Sequence, residues 1–445
     1  MLVNRKRLHT FNEAPLPPGA IVYWMTREQR VHDNWSLLHA RDLADSDRPL
    51  VVVFCLVPSF LGATLRQYDF MLKGLAEVET ELAQLAIPFA LRMGDPTIEL
   101  PGFVSEYNAA AVVTDFDPLR IKQRWQKAVA SQISVPLIEV DGHNVIPARY
   151  VSDKQEYAAR TIRPKIHRLS SEFLEEFPAL APLQGNKVEA ATDWDAVRNT
   201  IAVDESVRPV DMTPGEYAAR DALHEFIASR LHGYAAKRND PNADATSRLS
   251  AYFHFGHIAP QRVALEVASS GRGEDQAAYL EELIVRRELT DNFCLHNPNY
   301  DSLQGAPPWA LKTLEEHRQD QRSHLYSYEQ FEQAKTHSRL WNAAQGQLLK
   351  SGYIHGYMRM FWAKKILEWS ASPEEAHSIA IRLNDRFQLD GRDPNGYVGV
   401  LWSVAGLHDR AWKTRPVYGS IRYMNENGCR RKFDVEAYCE RWLKG

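Results

Sequence analysis

Five short apolar runs punctuate the first third of the chain: Ile21 to Trp24, Leu50 to Val57, Pro88 to Leu91, Ala111 to Thr114 and Leu137 to Val140. They are β-branched and nearly continuous rather than alternating, which predicts strands buried on both faces, as in a parallel sheet. Between them, Tyr68 to Leu85 carries Phe70, Leu72, Leu75, Val78 and Leu82 at spacings of two to four, the stripe of an amphipathic helix. This β-α-β-α order predicts a Rossmann-like α/β domain over residues 1–160 built on a five-stranded parallel sheet. Its crossovers would be right-handed, and ligands would sit beyond the carboxyl ends of the strands.

The strand signals stop near Arg160. Residues 178–215 are rich in Pro, Ala, Asp and Glu without a steady period, so 161–215 reads as a connector. Beyond it, residues 216–232, 261–269, 276–292, 327–336, 343–352, 356–369 and 373–385 carry helical patterning, which predicts an all-α domain over 216–445.

Composition narrows the chemistry. A chain of 445 residues that is 44% apolar has ample material for large cores. No run of about 18 apolar residues predicts a membrane span, and the start, Met1-Leu-Val-Asn-Arg-Lys-Arg, lacks the apolar stretch of a secretory signal. Cys55, Cys294, Cys429 and Cys439 form no C-x-x-C pair, so free thiols in a reducing cytoplasm are expected. A net charge of -4 argues against a surface uniformly positive for nucleic acid. There is no G-x-G-x-x-G after the first strand, no P-loop, no H-E-x-x-H and no G-x-S-x-G. Ordinary dinucleotide dehydrogenases, P-loop ATPases, zincins and α/β-hydrolases therefore lose support, and no metal site is predicted.

Three clusters in the helical half carry candidate chemistry. Seven of eleven Trp (309, 341, 362, 369, 402, 412 and 442) lie in the last 137 residues. Trp362 and Trp369 are seven apart, which puts them on one helix face about 10 Å apart at 1.5 Å per residue; core packing alone would explain such spacing. Residues 383–397 mix Asp, Asn, Gly and Pro in the manner of a tight loop. That loop lacks the closing Glu of an EF-hand calcium site. The third cluster, Thr246-Ser247-Arg248-Leu249-Ser250, puts hydroxyls before a helix start, which serves either as an N-cap or as a phosphate cradle.

Together with Tyr23-Trp24-Met25-Thr26-Arg27, Arg66 to Leu75, Thr114-Asp115-Phe116, Leu249 to Gly256, Asp291-Asn292-Phe293-Cys294, His355-Gly356-Tyr357, Trp362 to Trp369, Leu389 to Tyr397 and Ile421-Arg422-Tyr423-Met424, these stretches span nearly the whole chain. In that order they resemble the photolyase/cryptochrome family, within it the class II cyclobutane pyrimidine dimer photolyases. The resemblance implies an α/β antenna domain, a long connector and a helical domain holding FAD. It implies that Tyr234 and Thr246, Ser247, Arg248, Leu249 and Ser250 hold the FAD diphosphate. Asp390, Gly391, Asp393 and Asn395 would line flavin and ribose, Arg359 would pair Asp390, and Asn384 would face flavin N5. Electrons would reach photoexcited flavin through Trp362 and then Trp341, with Trp369 as a side branch and Tyr326 as a terminus. For repair, the family flips the dimer out of the duplex and splits it with an electron from photoexcited FADH⁻. The matching pocket residues are Glu282, Met360, Asn239 and Trp402. Asp409, Arg410 and Trp412 would enter the gap in the DNA, and Arg238, Arg422, Arg430 and Arg431 would contact its backbone.

One position departs from part of the family. Some members clasp the dimer with two tryptophans, one matched by Trp402, whereas Arg286 stands at the other. Arg286 would then stack its guanidinium on a base, or act as a buried cation for a small anion. Two readings follow: a dimer-repair enzyme, and a cryptochrome-like photoreceptor that keeps FAD and the Trp relay. Glu282, Met360, Trp402 and the 409–412 element favour repair; Arg286 favours signalling. Ala251 and Arg248 also replace a usual Pro and Asn in the phosphate motif. A cleft near Phe54 to Leu56 and Asp115-Phe116-Asp117 suits an antenna, where the resemblance implies 8-hydroxy-5-deazaflavin and composition leaves folate or an empty cleft equally open. The partner implied is UV-damaged DNA, met by a monomer. Residues 405–445 hold nine Lys+Arg and five Asp+Glu, one basic end on an otherwise acidic body.

Overall fold

The computed structural model describes residues 2–45, 48–183 and 191–444. Its strands are β1 (Leu8–Thr10), β2 (Ala20–Met25), β3 (Leu50–Leu56), β4 (Phe89–Met93), β5 (Ala109–Asp115) and β6 (Leu137–Val140). They form one six-stranded sheet in the order β1-β6-β5-β2-β3-β4. The sheet therefore has six strands rather than the expected five. The five expected strands pair in parallel, and the addition, β1, is a three-residue edge strand antiparallel to β6 through Leu8↔Val140.

Alternation along the strands feeds two cores. Ile21, Tyr23, Met25, Val52 and Phe54 pack with Trp35, Leu38, Leu72 and Leu75 on one face. Val22, Trp24, Val51, Val53 and Val112 pack with Leu100, Phe103 and Val129 on the other. Because β3 and β5 flank β2 while the chain runs outward on both sides, the order reverses beside β2, and a crevice opens beyond the carboxyl ends there.

The expected connector is less uniform than its composition suggests. Residues 184–190 of it lie outside the described residues. Its first part is the helix Ala159–Phe173, whose Ile162, Ile166 and Phe173 are buried in a core shared with Leu223, Tyr252 and Leu283 of the helical half. The second large core is built from helices Arg339–Ser351, Gly356–Trp369, Pro373–Phe387 and Pro394–Ala405. The last of these begins inside the predicted loop: Asp393 caps it, accepting from Asn395 N–H, with Pro394 in its first turn. Among the described residues no helix is long and apolar enough to cross a membrane.

The halves are locked by the loop after β2. Asp115, fully buried, accepts hydrogen bonds from the N–H groups of Thr26, Arg27 and Glu28 and from the Tyr23 hydroxyl. The loop thus fixed sends Arg27 into a buried ion pair with Asp291 at 3.2 Å. From the other side, Arg66 donates to the carbonyls of Leu348, Leu349 and Phe387, the exposed ends of two helices.

Candidate functional site

The segment 246–250 turns sharply into the helix Ser250–Phe255, with Arg248 in the left-handed region at φ +58°. Asp244 holds the Arg248 guanidinium at 2.6 Å, and that guanidinium lies 5.8 Å over the Tyr353 ring. Thr246 Oγ1 is 3.3 Å from Tyr353 Oη, and Ser247 Oγ accepts from Leu249 N–H. Tyr234 reaches the same place through Tyr279, at 5.3 Å between rings. The predicted phosphate group thus comes together, and Ser247, Arg248, Ser250 and Asp390 line one cleft of about 450 Å³.

Helix Pro373–Phe387 delivers Asn384, 2% exposed, to the loop 388–393. Its amide donates to Asp385 Oδ1 at 3.0 Å, which also accepts Arg392 N–H. A Cβ on Gly391 would come within 2.7 Å of the Asp385 carbonyl, and one on Gly396 within 2.9 Å of the Asn384 amide, so glycine lets both backbones close on this corner. Asp393 Oδ1 accepts from Asn395, and Oδ2 meets His254 Nδ1 at 3.1 Å. Burial opposes ionisation of Asp393, but His254, Arg27 and Asn395 outweigh it and hold the carboxyl well below the ordinary range. Arg359 lies 3.5 Å from Asp390, while buried Asp390 Oδ1 and Arg359 Nε lack hydrogen-bond partners. Hydroxyls and a guanidinium, together with unsatisfied buried acceptor and donor groups, suit an anionic dinucleotide with a polar ring system.

Behind this corner runs a line of aromatic rings. Trp362 and Trp341, both almost fully buried, stack 6.3 Å apart and within 6° of parallel. Trp362 donates its indole N–H to Gln345 Oε1, and Trp341 donates to the Trp362 carbonyl. Trp369 lies 6.3 Å from Trp341, and Tyr326 lies 5.8 Å from Trp369. Trp369 thus contacts both Trp341 and Tyr326.

The remaining candidates do not line that cleft. Glu282, half-exposed, pairs with Arg238 at 2.5 Å. Met360 and Trp402 are partly exposed and Asn239 is exposed, Trp402 resting against the large helical core. Arg286 is not a buried cation: its side chain is 51% exposed, and its Nε sits 3.2 Å from Glu281, which Arg163 also pairs. Trp412 projects into solvent at 40% exposure with Arg422 4.6 Å and Arg410 5.6 Å over its ring. Its N–H reaches Asp409 at 3.5 Å. Arg431 is exposed, whereas Arg430 is held between Glu426 and Glu436.

A second cavity of about 110 Å³ lies beyond β3, lined by Phe54 to Val57, Phe60, Asp117, Lys122 and Trp125 and, on the helical side, by His254 and Asp393. Asp115 does not line it, because its carboxylate is spent on the β2 loop. Sequence reasoning missed His254, Gln345, Tyr353 and the Arg27–Asp291 pair. Arg27, Asp291 and His254 carried a signal, since all three fall in matched stretches without an assigned role, whereas Gln345 and Tyr353 lie outside them. Among the described residues no cluster of three or more His, Cys, Asp or Glu is arranged to hold a metal.

Comparisons with known proteins agree with this layout. The family model described as DNA photolyase matches residues 21–182. A deoxyribodipyrimidine photo-lyase of Potorous tridactylus is 52% identical over 427 residues, spanning 94% of this chain and 80% of that protein. One from Methanothermobacter thermautotrophicus is 38% identical, spanning 99% of this chain and 98% of its own length. Among solved structures, a class III photolyase from Agrobacterium tumefaciens superposes with a TM-score of 0.75 at 19% identity, covering 97% of this chain and 87% of its own. A Synechocystis cryptochrome gives the same score at 15% identity, covering 96% and 89%. At those identities the two structures share the fold.

Proposed function

The chain belongs to the DNA photolyase family, and on that premise we propose that it is a light-driven deoxyribodipyrimidine photolyase that splits cyclobutane pyrimidine dimers in UV-damaged DNA. The observation that carries this reading is 52% identity over 94% of the chain to a relative of that name. FAD, the family's cofactor, supplies when reduced and excited by blue light the electron that cleaves the cyclobutane ring.

The chain's own residues bind, orient and exclude water. Backbone amides at 247–250 and the hydroxyls of Thr246, Ser247 and Ser250 hold the diphosphate, with Arg248 and Tyr234 beside them. Asp390 and Arg359, ion-paired with each other, would meet the flavin with the hydrogen-bonding capacity that Asp390 Oδ1 and Arg359 Nε keep unused within the protein. The Asn384 amide, which both accepts and donates, is pinned by Asp385 for the flavin's changing protonation at N5. On the lesion side, Glu282 is held by Arg238 and presents a carboxylate that accepts from the ring N–H groups of the dimer rather than donating to its carbonyls. Trp402 and Met360 give apolar walls that offset the cost of extruding the bases, a few kcal/mol, and Asn239 borders them. Asp409, Arg410 and Trp412 occupy the space the dimer leaves, and Arg422 and Arg431 meet phosphates. Arg286, exposed and paired with Glu281, is not the buried anion site that would have favoured the photoreceptor reading, and the repair reading is the better supported of the two.

The assay is direct. Protein with reduced FAD, given an oligonucleotide containing a thymine dimer, should restore thymine absorbance under blue light and not in the dark; no recovery in the light overturns the assignment. The second cavity we assign to a deazaflavin antenna, with the Lys122 ammonium 4.9 Å over Trp125 beside it. Protein from a deazaflavin-making host should carry that chromophore's absorption, and a Lys122→Ala variant should carry less.

A further inference from the structure

The outer end of the ring line is built around a base that no sequence motif indicated. Tyr326 touches Trp369 twice, by ring contact at 5.8 Å and by donating its backbone N–H to the Trp369 carbonyl at 3.0 Å. Its phenol oxygen accepts the backbone N–H of His337 at 2.9 Å, and the same oxygen lies 2.7 Å from His337 Nδ1. In the tautomer that carries its hydrogen on Nε2, His337 Nδ1 accepts the phenolic hydrogen across this contact, and that is the tautomer that proton transfer from Tyr326 requires. The His337 ring stacks on His324 at 3.7 Å and 12°, and its edge meets Trp369 at 4.8 Å. His337 directly precedes Ser338, the cap of the helix that carries Trp341. One short turn therefore places both the inner tryptophan and the base.

We propose that Tyr326 and His337 act as a proton-coupled redox pair that traps the oxidising equivalent arriving at Trp369. This rests on the electron-relay reading of Trp362, Trp341 and Trp369, the oxidant being a light-excited oxidised flavin. In the step, one electron passes from the Tyr326 ring to the Trp369 radical cation, which returns to neutral indole. The phenolic proton passes from Oη to Nδ1 of His337. A neutral tyrosyl radical and an imidazolium result, and the single positive charge is conserved.

A phenol radical cation is a very strong acid, so oxidation of Tyr326 is favourable only if a base takes the proton in the same event. His337 is such a base because it is neutral in the resting protein. Partial burial foremost, then His324 and Lys365, lower its proton affinity, while Glu368 and Glu426 oppose them less, so it stays below its ordinary value. Return of the electron then requires return of the proton, and the separated state persists.

Flash photolysis and electron paramagnetic resonance on the FAD-loaded, oxidised protein test this. In the wild type a neutral tyrosyl signal should follow decay of the tryptophan radical, and Tyr326→Phe should remove it. His337→Leu and His337→Gln should each cut the tyrosyl yield at least tenfold at pH 7.5 and prolong the tryptophan radical. Imidazole added to His337→Gly should restore the signal. In the dark protein, NMR should titrate His337 below about 6.5, the free value, and the wild-type tyrosyl yield should fall with that same midpoint on acidification. A yield unchanged in both His337 variants, or flat from pH 5 to 8, overturns the proposal. If Trp362→Phe still reduces flavin in light, the relay reading itself fails. If Trp362→Phe blocks reduction while the His337 variants match the wild type, only the proton transfer fails.

Discussion

Trp362 is 1% exposed with its indole N–H spent on Gln345, so packing alone accounts for its burial. Packing does not require the near-parallel stack on Trp341, nor a chain of three ring contacts that ends at partly exposed Tyr326. Trp362→Phe should therefore fold, at a cost of about 1–3 kcal/mol for lost volume and an unpaired Gln345. It should no longer photoreduce oxidised FAD, while protein reduced chemically still repairs dimers; the flavin spectrum under blue light decides. Arg286 offers a second test. It is exposed and tied only to Glu281, so Arg286→Trp should fit without disturbing a core and should tighten dimer binding by about 1–3 kcal/mol, the worth of one stacked base. Fluorescence anisotropy with damaged and undamaged oligonucleotides would show it. At this scale the sequence revealed residue types better than neighbours. Trp362 and Trp369 share a helix, and their spacing was readable. Trp341, which sits between them, comes from a helix 21 residues earlier, and His337 from the turn before that helix, so no local period links them.

The legible elements are those whose packing is uniform along their length. Strands β2 to β6 were readable because both sheet faces are covered, which demands continuous apolar residues. Strand β1 was not, because Leu8-His9-Thr10 is a short, half-exposed edge with no pattern to detect. Only the first turn of helix Pro394–Ala405 reads as loop, because it holds Pro, Asn and Gly, while the body is apolar almost all round and buried between neighbours, with no polar stripe to mark it as a helix. Contacts between elements were least legible, and the lock at the β2 loop is the clearest case. Gly256 has φ +71°, and a Cβ there would lie 1.9 Å from the Arg27 carbonyl, so Gly256→Ala should force the two halves apart. Arg27→Met should leave Asp291 buried and unpaired and cost about 3–5 kcal/mol, with the double variant Arg27→Met/Asp291→Leu recovering much of it. Urea unfolding of the three proteins checks both.

Across the whole molecule, buried imidazoles set an acid limit. Burial pushes His39 and His377 down to about 4 and His257 down to about 3; His257 Nδ1 must also stay unprotonated to accept Gly215 N–H. These folded values lie below the unfolded one, so the unfolded chain binds protons that the folded chain refuses. Stability present above about pH 6.5 is thus lost as pH falls towards 4, by up to about 1.4 kcal/mol per pH unit for each imidazole. Buried Glu28 and Glu288, pushed up to about 8, act with the opposite sign over this range, so the imidazole share is read by difference. The urea midpoint of His39→Leu should lose less, or gain more, than the wild type's between pH 7.5 and pH 5, and an equal change would contradict this.

Charge works on the same scale but through its distribution. The net charge of -4 hides a basic end at residues 405–445, and folding sorts that end further. Arg430 and Lys444 are neutralised by Glu426, Glu436 and Glu440, whereas Arg410 and Arg422 flank the exposed Trp412 ring. The counterion-releasing contacts should therefore cluster at Trp412 rather than at the chain's end. Each phosphate contact removed should flatten the dependence of log affinity on log salt by about 0.9. Arg422→Ala should show that change for damaged and undamaged duplex alike, because phosphates carry no lesion information, whereas Arg410→Ala should show it most on damaged duplex, where its element enters the gap. Arg430→Ala should leave the slope nearly unchanged. A Trp412→Ala variant should do the reverse of Arg422→Ala, keeping the slope while losing preference for the dimer. If Arg430→Ala flattened the slope as much as Arg410→Ala, the basic surface would have to be placed along the last helices instead.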